Sequence, residues 1–101
     1  MIRIVWSRTK HDNVMEIRGH ANYAEHGKDI VCASVSAIAY SLLGYLERMQ
    51  MCSDCKVSPG DMRVQAPRNK RTDIVYDMAY TGLKMIAEPY PRYVDCQYIA
   101  E

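Results

Sequence analysis

Between Asp29 and Glu47 the chain carries no formal charge, and the run from Ile30 to Leu46 is mostly apolar. No other segment constrains the fold as much. The run falls short of the roughly 20 residues that a membrane-spanning helix needs. It also holds Ser34, Ser36, Ser41 and Gly44. It therefore reads as a buried helix and not as a membrane segment. Asp29 is placed to cap it, because a carboxylate accepts a hydrogen bond from an orphan N–H of the first turn. The expected helix runs on to about Met49. It is apolar on nearly every face, so it must be covered on more than one side. A two-layer domain covers one side; the second cover is another helix or a second subunit.

The flanking segments supply a sheet. Met1 to about Arg8 alternates, with Ile2, Ile4 and Trp6 on one side and Arg3 and Ser7 on the other, as a strand does. Lys10 to Asn13 is a polar turn, and Val14 to Arg18 is a second strand with Met15 and Ile17 facing together. The two form a hairpin. Gly19 to Lys28 is a polar loop. Cys52 to Asp54 and Cys55 close the helix region. Lys56–Ser58 and Met62–Ala66 are short strands around a turn at Pro59, Gly60 and Asp61, with Met62, Val64 and Ala66 toward the core. A second helix, capped by Thr72 or Asn69, runs to about Glu88. Its apolar positions Ile74, Val75, Met78, Ala79, Leu83 and Ile86 recur at helical spacing, and Asp73, Asp77, Lys84 and Glu88 take the other face. Pro89 and Pro91 stop it. Tyr93 to Ile99 is a last strand. The order ββαββαβ implies a two-layer α+β fold, a mainly antiparallel sheet with two helices, as one domain over residues 1–101.

Lys plus Arg number 13 and Asp plus Glu 12, for a net charge of +1. Nucleic-acid binding usually shows as a strongly basic face, so no nucleic-acid partner is expected. So small a net charge also leaves self-association unopposed. Phe is absent, and eight Tyr and seven Met supply the large apolar volume. The four cysteines do not read as a disulfide scaffold. The N-terminus lacks the apolar block of a signal peptide, so the expected compartment is the cytoplasm, where thiols stay reduced.

Chemistry concentrates between Gly19 and Ser36. Cys32 falls in the first turn of the expected helix, where the positive end of the dipole and free N–H groups favour a thiolate. His20 sits where a strand gives way to a loop and can face the helix start as a base. Unpaired N–H groups near Cys32 are candidates for holding the oxyanion of a tetrahedral intermediate. The bland alternatives are a small buried hydrophobe for Cys32 and a surface loop residue for His20.

Gly19-His20-Ala21, followed after a short loop by Gly27-Lys28-Asp29-Ile30-Val31-Cys32-Ala33, resembles the ribosomal-processing cysteine protease family, Prp. The resemblance implies a cysteine endopeptidase with His20 and Cys32 as its catalytic dyad. It implies a protein substrate, the N-terminal extension of a large-subunit ribosomal protein, cut after an aromatic residue and before a small one. It also implies a homodimer, which would account for the apolar helix. Ser36 matches a serine that follows the family cysteine and would help line the site. Ala33 to Ser36 and the loop Asn22 to His26 depart from the family pattern and bear on substrate preference. Two other readings stand beside this one: a non-catalytic ribosome- or protein-binding module with the same fold, and a phage-associated protease of this type acting on virion proteins.

The supporting residues follow from position. Asp29 either caps the helix or orients His20, and the cap already accounts for it. Gly19 and Gly27 would let the loop between them move and gate substrate entry. His26 is a rival base, better explained as an exposed loop tip. Cys52 and Cys55 have the spacing of half a zinc site or a redox pair, but no second such pair exists to complete it. Cys96 alternates with Val94 and Tyr98 and reads as core. No metal and no cofactor is expected. Arg68, Lys70 and Arg71 read as a solvated loop before the second helix.

Overall fold

The computed structural model describes residues 1–25 and 29–101. The elements are β1 (Ile2–Arg8), β2 (Asp12–Arg18), α1 (Ile30–Arg48), β3 (Asp54–Ser58), β4 (Asp61–Pro67), α2 (Lys70–Ala87) and β5 (Val94–Ala100). The strands form one sheet in the order β3-β4-β2-β1-β5. Every neighbouring pair is antiparallel except β1 with β5, which is parallel. This is the α+β arrangement the element order implies.

Each strand forms where alternation gives it one apolar face. Ile4 lies opposite Ile17 and Trp6 opposite Met15 across β1 and β2, and Met15 lies opposite Val64 across β2 and β4. All of these are buried, with Ile2, Met62, Ala66 and Val94, beneath the helices. The other face is open and carries a ladder of charges. Arg18 meets Glu16 and Asp61 at 2.6 and 3.2 Å, and Arg63 meets Glu16 and Asp54 at 3.6 and 3.7 Å. Exposed pairs of this kind add little stability one by one; they keep the face soluble and in register. β3 starts earlier than its alternation indicates, at Asp54, so Cys55 belongs to the strand and not to the helix end.

Helix α1 lays Val31, Val35, Ala39, Leu42, Leu43 and Leu46 on the sheet. Its second cover, within this chain, is α2 along one flank. A methyl on Gly82 of α2 would stand 3.0 Å from Ile38 of α1, so the helices approach closely there. Tyr40 remains 53% exposed, so the covering of α1 is partial.

Both capping candidates of α2 take part. Asn69 is the N-cap and accepts the Thr72 N–H at 2.8 Å, while the Thr72 hydroxyl accepts the Asn69 N–H at 3.0 Å. This reciprocal pair satisfies two orphan donors. The buried face of α2 differs from the expected one. Tyr76, Ala79, Tyr80 and Leu83 are buried, whereas Ile74 and Met78 are 60% and 72% exposed. Apolar residues ring this helix, so periodicity alone could not choose the face. The sheet selects the tyrosines because Tyr76 can bury its ring and still donate its hydroxyl to the Val64 carbonyl at 2.9 Å. Asp73 also turns inward. Its carboxylate accepts from Asn13 Nδ2 at 2.8 Å and from Arg68 at 3.0 and 3.2 Å, and the Asn13 Oδ1 accepts from Trp6 Nε1 at 3.1 Å. Arg68 is thus tied to α2 and is not simply solvated, and Lys70 and Arg71 begin that helix.

Candidate active site

Three chain segments meet at one end of the sheet: the exit of β2, the start of α1 and the turn between β3 and β4. The Gly19 N–H donates to the Gly60 carbonyl at 2.9 Å, joining the first to the third. The Ala21 N–H points at the Cys32 sulfur, 3.5 Å away, joining the first to the second.

Cys32 lies in the first turn of α1, half-buried. Asp29 is the N-cap. Its Oδ1 accepts the N–H groups of Val31 at 3.1 Å and Cys32 at 2.9 Å, and its Oδ2 accepts the Tyr23 N–H at 3.0 Å. Its carbonyl takes the Ala33 N–H at 3.0 Å. The N–H groups expected to be free for an oxyanion are therefore occupied. A capping carboxylate consumes the donors of the turn it caps, so Asp29 as cap and vacant amides at Cys32 exclude one another. The Cys32 N–H, followed by those of Tyr23, Ala24 and Val31, holds the Asp29 carboxyl below the usual range.

His20 is exposed, and its ring makes no hydrogen bond among the described residues. It borders two cavities, and Cys32 and Ser36 border both with it. The smaller, about 110 Å³, has an apolar floor of Ile2, Ile17, Val35 and Met62, with Tyr40 and Val57 beside it. The larger, about 440 Å³, lies toward Asn22, Asp29 and Ala33. Ser36 is exposed one turn beyond Cys32.

Gly19 is not a free hinge. Its φ is +95°, and a side chain there would collide with the Met1 carbonyl, so close backbone approach and a left-handed conformation both require glycine. Gly27 and His26 lie outside the described residues. Tyr23 extends the loop's anchorage: its ring packs edge-on against Tyr90 at 5.4 Å and Tyr93 at 5.2 Å. Sequence reasoning gave no role to the Ala21 N–H, the Tyr23 ring, Tyr40 or Val57. The Pro59–Gly60 turn is visible in the sequence, but its place beside His20 needs the strand order.

The remaining cysteines lie elsewhere. Cys52 follows the far end of α1, and the helix from Cys32 to Arg48 alone spans about 24 Å at 1.5 Å per residue. Burial, then a hydrogen bond with the Cys55 thiol, pushes Cys52 up to about 12. The Cys55 thiol donates to the Gln65 carbonyl at 3.6 Å. Cys96 is pushed up to about 11, chiefly by burial. Among the described residues no cluster of three or more His, Cys, Asp or Glu side chains could hold a metal ion.

A thiol at a helix start, an imidazole on the same cleft and an apolar recess beside both are the equipment of a cysteine peptidase. The family model for cysteine protease Prp matches residues 1–95. Two mycoplasma relatives carry the name ribosomal processing cysteine protease Prp. That of Mycoplasma genitalium is 29% identical over 83 residues, 81% of this chain and 84% of that one. That of Mycoplasma pneumoniae is 29% identical over 96 residues, 93% of this chain and 91% of that one. The crystal structure of the essential ribosomal processing protease Prp from Staphylococcus aureus, with a covalently linked product peptide, superposes with a TM-score of 0.82 at 22% identity, covering 97% of this chain and 99% of that one. The chain belongs to the cysteine protease Prp family.

Proposed function

We propose that the whole chain is one cytoplasmic endopeptidase domain that removes the N-terminal extension of a large-subunit ribosomal protein, with Cys32 as nucleophile and His20 as base. One observation carries this reading: Cys32 and His20 border the same two cavities, one of them an apolar recess. The names of the mycoplasma relatives support the ribosomal substrate.

The reaction is acyl transfer. His20 takes the thiol proton as the Cys32 sulfur bonds to the scissile carbonyl carbon, and the carbonyl π pair moves to oxygen. Asp29 occupies the N–H groups of the helix start, so the donor already aimed at the reacting centre is that of Ala21. The intermediate collapses, the C–N bond breaks, and His20 returns its proton to the leaving amine. Water then attacks the thioester with His20 again as base, releasing the carboxylic acid and restoring the thiol. The apolar recess takes the side chain before the cut.

The protein acts as a homodimer. Ile74, Met78 and Met85 of α2 are 60%, 72% and 67% exposed on one helical stripe, beside a groove of about 500 Å³ between α1 and α2 floored by Leu42, Val75 and Ala79. Exposed apolar surface of this kind marks an interface.

The test is hydrolysis of a peptide spanning an aromatic–small junction. The parent protein cleaves it, and neither Cys32→Ala nor His20→Ala does. Cleavage by either variant at the parental rate overturns the dyad.

A further inference from the structure

We propose that Gly60, in the turn between β3 and β4, is the positioning residue for the His20 imidazole: its bare α-carbon is the seat on which the ring rests. This rests on His20 being the base. A Cβ built on Gly60 would lie 2.6 Å from His20 Nε2, 3.2 Å from Cε1 and 3.4 Å from Cδ2. All three atoms belong to one edge of the ring, so that edge faces the glycine. With no hydrogen bond to orient it among the described residues, the exposed ring is held there by this contact. The seat itself is fixed. The Gly60 carbonyl accepts the Gly19 N–H at 2.9 Å, and the pairs Arg18 with Asp61 and Ser58 with Asp61 bring the turn to the end of β2. Gly60 also borders the recess that Cys32 borders.

Any L side chain at residue 60 must push the ring away, because ordinary contact begins at 3.4 Å and the built atom stands at 2.6 Å. A displacement of about 1 Å at a reacting group costs on the order of 100-fold in rate. The turn alone also favours glycine, since φ is +67°, and the two demands can be separated by stereochemistry. Asparagine tolerates a left-handed φ but carries its Cβ into the ring. D-alanine prefers that φ and places its methyl where the other α-hydrogen of glycine stands, away from the ring.

The D-residue can be introduced by ligating residues 1–54 to a synthetic segment 55–101 at Cys55. Peptide cleavage is compared for the parent, Gly60→Asn, ligated protein with D-alanine in place of Gly60, and ligated protein with glycine, each with a thermal melt. The expected result for Gly60→Asn is a kcat lower by about 100-fold with KM within about twofold. The D-alanine protein should match its ligated glycine control. Parental cleavage by Gly60→Asn overturns the seat, and so does a D-alanine protein that melts normally yet loses as much activity. A direct measurement in the parent needs no variant: a nuclear Overhauser effect between the Gly60 α-protons and the His20 ring protons is expected, and its absence sinks the proposal. His20→Ala separates the two readings. If it cleaves normally, the base assignment falls; if it is inactive while Gly60→Asn is active, only the seat falls.

Discussion

Asp29 Oδ1 and the Cys32 N–H are joined by a 2.9 Å hydrogen bond, and the same carboxylate reaches Tyr23 in the preceding loop. One side chain therefore sets the start of α1 and the path of the chain past Cys32. The two oxygens divide the work, Oδ1 on the helix and Oδ2 on the loop.

Replacing Asp29 should loosen both. Asp29→Ala is expected to lower the melting temperature by a few degrees, the usual effect of losing a cap, and to slow peptide cleavage by freeing the Tyr23 segment. Asp29→Asn keeps an acceptor for the helix amides and should recover most of the melting temperature. An alanine variant as stable as the parent would show that the cap contributes nothing.

Acid should destabilise the fold through the same kind of group. The Arg68 guanidinium, then the Asn13 amide and Arg8, hold the Asp73 carboxyl below its ordinary value of 3.8, and Asp29 is lowered in the same direction. A carboxyl whose folded value lies below its unfolded one contributes stability above the unfolded value, and loses it as pH falls through the folded value. The melting temperature should thus be insensitive to Asp73 above about pH 5 and decline below about pH 4. Asp73→Asn should flatten that decline; an unchanged acid profile in this variant contradicts the assignment.

The thiols should separate by reactivity. Burial pushes Cys96 to about 11 and Cys52 to about 12, which leaves little thiolate at neutral pH, and the thiolate is the species that alkylates. Iodoacetamide at pH 7.5 followed by peptide mass mapping should find Cys32 modified well before Cys52 and Cys96. Labelling of these three at one rate would count against Cys32 as the reactive thiol.

Assembly can be read by sedimentation. The exposed Ile74, Met78 and Met85 stripe predicts a dimer at micromolar concentration, and Met78→Glu should shift the protein to monomer without lowering its helix content. A parent that sediments as a monomer at that concentration removes the homodimer.

Much of this arrangement could be read from local pattern. Ile2, Ile4 and Trp6, and again Met62, Val64 and Ala66, alternate because one strand face meets a core, and all six are buried. Asp29 and Asn69 announce helix starts because their side chains satisfy amides within three residues. What stayed hidden depends on distant partners. The parallel match of β5 to β1 is invisible in either strand alone. The orientation of α2 escaped because Ile74 and Met78 share helical spacing with the core positions, and only the reach of Tyr76 to Val64 decides between the faces. At the site, Cys32 and His20 were recognisable as candidates from residue type and spacing. The contact of His20 with Gly60 was not, since 40 positions separate them and only strand pairing closes that gap.

The parallel pairing of β1 with β5 also sets an order of events during synthesis. Ile2 borders the recess near Cys32, and its strand, already paired with β2 on one side, gains its second neighbour only when residues 94–100 exist. A nascent chain halted before that point has an unpartnered β1 edge. The strand that carries Ile2 to the recess therefore stays one-sided until β5 has been made.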